Sequence, residues 1–203
     1  MAEIVVPSVP FPFRSEGPSF GIAPVVEDGR VVLTAAAGAD LFIHPSGTSQ
    51  RPDAERFLAE VTGDFVFSAH VTAEFSSSFD SGVLIGWIDA ENWFKICSER
   101  DPVGGVDVVT VVTRGTSDDA NGWEIGPSGA YLRIARMGNV FALHSSADAV
   151  RWSLVRYFSM GETVPDTIKL GVLAQSPTGA GTTATFTDVA FEARTLAAIR
   201  DGS

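Results

Sequence analysis

Lys95 and Glu99 are the residues of this chain whose types and setting could do chemistry. They stand four apart in Trp93-Phe-Lys-Ile-Cys-Ser-Glu-Arg100, and Lys95 is one of only two lysines in 203 residues. Strand alternation puts Trp93, Lys95, Cys97 and Glu99 on one face and Phe94, Ile96 and Ser98 on the other. The Phe94/Ile96 face suits a core. At the rise of a strand, Lys95 and Glu99 lie about 13 Å apart, too far for a direct pair. With Ile88 opposite Trp93, Gly86 faces Lys95 and Gly82 faces Glu99. Glycines beside long side chains would leave a groove, a place for a ligand. The plainer alternative is that Lys95 and Glu99 pair with neighbours on a solvated sheet, while Trp93 plugs its edge.

Other chemistries find little support. There is no phosphate-binding glycine loop and no Gly-x-Ser-x-Gly elbow. His44, His70 and His144 are far apart in sequence, with no partner at metal-ligand spacing, and they read as surface or edge residues. The single cysteine, Cys97, excludes an internal disulfide framework and reads as a small buried hydrophobe. No cofactor is implied. A formal charge of −11 argues against nucleic acid and against anionic membranes. The N-terminus lacks a basic leader region and no apolar run approaches a membrane span, so the expectation is a soluble cytoplasmic protein.

The elements that must position Lys95 and Glu99 are strands. Asp80–Asp89, Trp93–Arg100 and Val106–Arg114 read as three consecutive strands, with Asp101–Gly105 turning the chain between the last two. Phe65–Phe75 alternates Phe65, Phe67, Ala69, Val71 and Ala73 against a more polar face, the pattern of a half-buried strand. Tyr131–Met137 and Val140–Ser145 form a hairpin across Gly138-Asn139. Arg30–Thr34, Glu55–Val61, Leu154–Phe158, Ile168–Ala174 and Thr183–Glu192 are further strands. Asp40–Pro45 is extended, Ser46–Ala54 reads as a loop that could cover one face, and Gly115–Gly129 reads as a long loop carrying Trp123. Residues 1–24, rich in proline and phenylalanine, read as a packed-down edge or wrapping segment. Thr195–Arg200 could form a short terminal helix. Roughly a dozen short strands, spaced by turns, predict an all-β sandwich formed by residues 1–203 as one domain.

Such a sandwich raises a glucanase option. Those enzymes place two glutamates on one strand as Glu-x-Asp-x-x-Glu or a close variant, and a retaining mechanism needs carboxyls about 5–5.5 Å apart. No such triplet exists here. Glu99 with Asp107, opposite it across the Asp101–Gly105 loop, is the one conceivable pair.

Several motifs resemble the domain-of-unknown-function family 1349, which includes regulation-of-enolase-like proteins. They are Phe57-Leu-Ala-Glu-Val-Thr-Gly-Asp-Phe65, Asp80-Ser-Gly-Val-Leu-Ile-Gly-Trp-Ile-Asp-Ala-Glu-Asn-Trp-Phe-Lys95 with Glu99, Val111-Val-Thr-Arg114, Tyr131-Leu-Arg-Ile-Ala-Arg, Ser146-x-Asp-x-x-x-Trp152, Gly171-Val-Leu-Ala-Gln-Ser-Pro177 and Phe186-Thr-Asp-Val-Ala-Phe191. The resemblance covers roughly residues 40–192. Trp87, Cys97 and Ala149 depart from the family's usual arginine, glycine and Asp-Gly turn. The resemblance implies a concanavalin A-like, two-sheet jelly roll whose concave face holds sugars in lectins and glucanases. On that expectation Trp87, Trp93 and Trp123 stack on sugar faces, while Lys95, Glu99, Arg114 and Gln175 hydrogen-bond hydroxyls. The function implied is a carbohydrate-related binding or regulatory module without catalysis, its partner a saccharide or small polar ligand. The alternatives are a glycoside-active enzyme using Glu99 and Asp107, and a protein-interaction sandwich. The fold also implies a possible structural calcium, for which Asp64 and Asp188 are weak candidates.

Overall fold

A computed structural model describes residues 2–203. The strands are β1 (Glu3–Ile4), β2 (Phe13–Glu16), β3 (Val25–Glu27), β4 (Arg30–Ala36), β5 (Leu41–Ile43), β6 (Gln50–Pro52), β7 (Arg56–Thr62), β8 (Phe65–Ala73), β9 (Ser81–Trp87), β10 (Asn92–Arg100), β11 (Val106–Arg114), β12 (Thr116–Glu124), β13 (Ala130–Met137), β14 (Val140–Ser146), β15 (Ser153–Ser159), β16 (Thr167–Gln175) and β17 (Gly181–Glu192). Eight form one antiparallel sheet in the order β1-β2-β7-β16-β9-β10-β11-β12. Seven form the second, β15-β14-β13-β8-β17-β4-β3, and β5 and β6 make a separate hairpin. The count exceeds a dozen because pieces of two to four residues also pair.

The two large sheets pack face to face over one apolar core. β8 sends Phe65, Phe67, Ala69 and Val71 into it, and β10 sends Phe94 and Ile96. The period of two read from both strands therefore gives the buried face correctly. Phe94, Phe141 and Phe158 cluster with centroids 4.5–5.8 Å apart, tilted and offset as aromatic quadrupoles prefer.

β9 is buried along its whole length, although an antiparallel strand with one solvated face should alternate. The reason is the hairpin. Leu41, Ile43 and Ala54 lie on the outer face of the eight-stranded sheet and enclose a second apolar layer with Val83, Ile85, Trp87, Trp93, Cys97, Val109, Val111 and Leu173. The centre of this sheet thus has no solvated face, and Cys97 is a buried free thiol.

Four local expectations change. Residues 116–124, read as loop, form β12 along the sheet edge, after a turn at Gly115 with φ of 74°. β12 escapes pattern recognition because an edge strand buries little: only Ser117 is buried along it. Residues 50–52, within the segment read as loop, form β6. Residues 195–200 form no helix; the backbone there is held by bonds such as Gly202 N–H to the Ala198 carbonyl. In the N-terminal segment Phe13 is buried and Phe11 packs edge-on to it, whereas Phe20 is largely exposed.

Candidate functional site

The register of β9 against β10 decides what surrounds Lys95. Trp93 pairs with Trp87, Lys95 with Ile85 and Glu99 with Ser81, one residue away from the pairing expected with Ile88. A shift of one residue moves every neighbour to the opposite face. Gly82 and Gly86 therefore point into the main core. A Cβ on Gly86 would lie 2.2 Å from the Phe94 ring, and one on Gly82 would lie 2.6 Å from Val71 Cγ1. These glycines admit core side chains and line no groove.

The outer face of β10 nevertheless leads to a pocket. It has a volume of about 350 Å³ and opens between the end of the hairpin, the ends of β16 and β10, and β11–β12. This is within the size range of small-ligand sites. Lys95, Glu99 and Gln175 meet there with Asp40, Phe42, Arg51, Phe79 and Asp119, over a floor of Val109 and Val111.

Lys95 is only 2% exposed. Its ammonium donates to the Leu41 carbonyl at 2.9 Å and to Gln175 Oε1 at 2.8 Å. The Gln175 amide in turn donates to Asp40 Oδ1 at 3.1 Å. One chain of bonds thus ties the sheet centre to the hairpin. Among the described residues, no carboxylate lies within 4.0 Å of the ammonium, yet its charge is felt by several. The Glu99 carboxyl is pushed up to about 8, first by burial, against the pull of Lys95, with Asp119, Asp40 and Asp107 adding to the rise. Asp40 and Asp119 are also raised, chiefly by burial and again opposed by Lys95. Burial likewise pushes the Cys97 thiol far up, which leaves it inert as a nucleophile.

The rim is built by a second buried carboxylate. Asp80 accepts the N–H groups of Ser76 and Ser77 at 3.0 and 2.8 Å and the Ser176 hydroxyl at 2.7 Å. Ser176 N–H reaches the Ala39 carbonyl and the Ser176 carbonyl accepts from Gly38. Asp80 therefore locks together the turn before β9, the exit of β16 and the entry to the hairpin. Held in that turn, Phe79 has φ of 71°, a genuine outlier for a bulky residue, and it stands 39% exposed at the pocket mouth. Strain of this kind persists only where the surroundings over-determine it.

The remaining residues expected at the site lie elsewhere. Trp93 is fully buried and Trp87 nearly so under the hairpin, and the Arg56 guanidinium covers the Trp87 ring at 4.0 Å. Neither ring is open for stacking, because the hairpin covers that part of the outer face of the eight-stranded sheet. Arg114 donates to the Ser159 carbonyl and does not line the pocket. Trp123, 41% exposed, borders a different depression beside Arg151. Asp107 is the cross-strand partner of Glu99, on the same sheet rather than across a cleft. Asp40, Phe42, Arg51, Phe79 and Asp119 were not singled out from sequence. Asp40 and Asp119 sit in segments read as a short extended piece and a loop, and they reach Lys95 only through the fold. Among the described residues no group of three or more histidine, cysteine or acidic residues is arranged to hold a metal. Asp64 accepts Gly138 N–H and Asp188 accepts the Tyr131 hydroxyl.

Comparisons with known proteins agree on the architecture. A functionally unknown protein from Saccharomyces cerevisiae superposes with a TM-score of 0.81 at 21% identity, over 90% of this chain and 96% of that one. A mutant of the GH43 protein BlXynB from Bacillus licheniformis gives 0.63 at 15% identity, over 83% of this chain but 34% of that one. A legume lectin-like domain from Entamoeba histolytica gives 0.55 at 10% identity, over 89% of each chain. At these identities the likeness establishes the concanavalin A-like sandwich fold. No curated protein matches the sequence. The family model described as protein of unknown function, DUF1349, matches residues 22–194, and the chain belongs to that family.

Proposed function

We propose that the pocket at Lys95 and Glu99 binds a saccharide or similar small polyol, without turnover. The carrying observation is the gap between a buried ammonium and the Glu99 and Asp119 carboxyls, which no side-chain donor reaches among the described residues. Lys95 spends two N–H groups on Leu41 and Gln175. Its third donor is left beside Glu99 and Asp119, neither of which has a side-chain hydrogen bond, at separations beyond 4.0 Å. A hydroxyl both donates and accepts. Placed between, it would accept from Lys95 and donate to a carboxylate. Phe79 and Phe42 supply apolar faces at the mouth for the C–H side of a sugar ring. The hairpin covers the neighbouring part of the outer sheet face, so the pocket suits one terminal unit rather than a long chain. The sandwich type, shared with a lectin-like domain and with GH43 proteins, supports a carbohydrate-related reading.

The test is a glycan array with calorimetry and a hydrolysis assay on wild type, Glu99→Ala and Phe79→Ala. The expected result is binding without turnover, weakened at least about tenfold in each variant, which is about 1.4 kcal/mol. Binding equal in all three proteins, or no binding by any glycan, would discard the proposal.

A second reading rests on Glu99 itself. A carboxyl raised to about 8 is protonated at neutral pH and suits a general acid, with Asp107 as its cross-strand neighbour. Hydrolysis by wild type that is abolished in Glu99→Gln and in Asp107→Asn would replace the binding reading with glycoside chemistry.

A further inference from the structure

Acidic side chains outnumber basic ones around Lys95. Resting on the saccharide pocket above, we infer that its ligand is a hydroxylated amine, such as an amino sugar, and not an acidic sugar. Asp40, Glu99 and Asp119 line the pocket, against Lys95 and Arg51. Lys95 is already committed to neutral acceptors, a backbone carbonyl and an amide oxygen. Arg51 on the hairpin and Asp119 on β12 are both exposed, and solvent screens both. Asp107 adds a further negative group next to Glu99.

Hydrogen-bond capacity is skewed in the same direction. Among the described residues no side-chain donor reaches Glu99 or Asp119, although Asp119 accepts the Ala120 backbone N–H; Glu99, protonated at neutral pH, becomes an acceptor-only carboxylate when a cation beside it favours its ionised form. Between Glu99 and Gln175 in the register lies Ser81, fully buried, with a hydroxyl that has no partner. An unsatisfied buried hydroxyl is costly and calls for a group that completes it. A ligand rich in donors and carrying positive charge meets the carboxyls that line the pocket. A uronate or sugar phosphate would set its anion beside the Asp40 and Asp119 carboxyls and keep Glu99 in its protonated form, with the one buried ammonium already hydrogen-bonded. Asp40, Glu99 and Asp119 are raised chiefly by burial, against the pull of Lys95, and a cation placed among them would lower all three.

The experiment titrates the full chain at neutral pH and low salt with three hexoses, their 2-amino counterparts, their uronates, and cyclohexylamine as an amine without hydroxyls. The expected result is that at least one amino hexose binds about tenfold or more tighter than its parent, with its uronate weaker than the parent. In Asp119→Asn, an exposed substitution whose folding is checked by its denaturation midpoint, that preference falls below about threefold. Equal affinity for parent and amino hexose, or tighter binding of a uronate, overturns the inference while leaving a saccharide pocket. Cyclohexylamine binding as tightly as an amino hexose, with no neutral hexose bound, keeps the selection for a cation and discards the saccharide reading. No binding by any of the four classes overturns both.

Discussion

The raised carboxyl of Glu99 makes stability depend on pH in a direction opposite to that of most acidic side chains. Its ordinary value is 4.5 and in the fold it is about 8, so between those values the folded state holds a proton that the unfolded chain releases. Stability linked to this group is fully present below pH 4.5 and is lost as pH rises through 8. At about 1.4 kcal/mol per pH unit the whole shift corresponds to at most about 5 kcal/mol. Water in the pocket screens the partly buried carboxyl, so a loss of about 2–3 kcal/mol is expected. The clean comparison is with Glu99→Gln, which keeps the shape and cannot ionise. Denaturant midpoints of both proteins, measured from pH 5 to 9, give the difference in unfolding free energy. It should move steadily against wild type, most steeply between about pH 5.5 and 7, and level off above about pH 8. Asp40 and Asp119 are raised as well, but they remain in both proteins and largely cancel. Parallel curves, within about 0.5 kcal/mol across the range, would refute the placement of Glu99 in a poorly solvated site short of positive charge.

Other consequences are testable separately. Gly86→Ala should destabilise by about 2–3 kcal/mol in chemical denaturation, because the new Cβ meets the Phe94 ring at 2.2 Å; a neutral effect would mean that the glycine faces open space. Lys95→Met removes the donor to Leu41 and Gln175 and should cost about 2–4 kcal/mol, with faster hydrogen exchange at the hairpin. Phe79→Gly relieves a left-handed residue, so the midpoint should hold or rise by about 1 kcal/mol while ligand binding weakens. His144, buried with Nε2–H on the Ile199 carbonyl, is pushed down to about 4, chiefly by burial. Its contribution is present above pH 6.5 and is lost as pH falls through 4, so His144→Gln should flatten the acid limb of the stability curve by about 2 kcal/mol.

Much of the fold is written locally. The alternation of β8 and β10 names their core faces, the Gly138-Asn139 turn sets the β13–β14 hairpin, and the motifs from Phe57 to Phe191 carry the family. Strand period depends on nearest neighbours along the chain, which is why it survives without tertiary information. The facing of Lys95 and Glu99 away from Phe94 and Ile96 belongs to that set.

Tertiary structure alone decided what those two residues meet. Register is a relation between strands, and one residue of difference turned Gly82 and Gly86 from groove lining into core contacts. The hairpin of β5 and β6 buried Trp87 and Trp93, and it escapes a sequence reading because its strands have three residues each, those of β6 all exposed. Asp40, Phe79 and Asp119 reach the pocket from segments far apart in sequence, the first two held by the Asp80 and Lys95 bonds and the third by the pairing of β12 with β11. Sequence thus determined which side chains of β10 face away from the core, whereas long-range packing determined whether that face was a groove, a second core or a pocket.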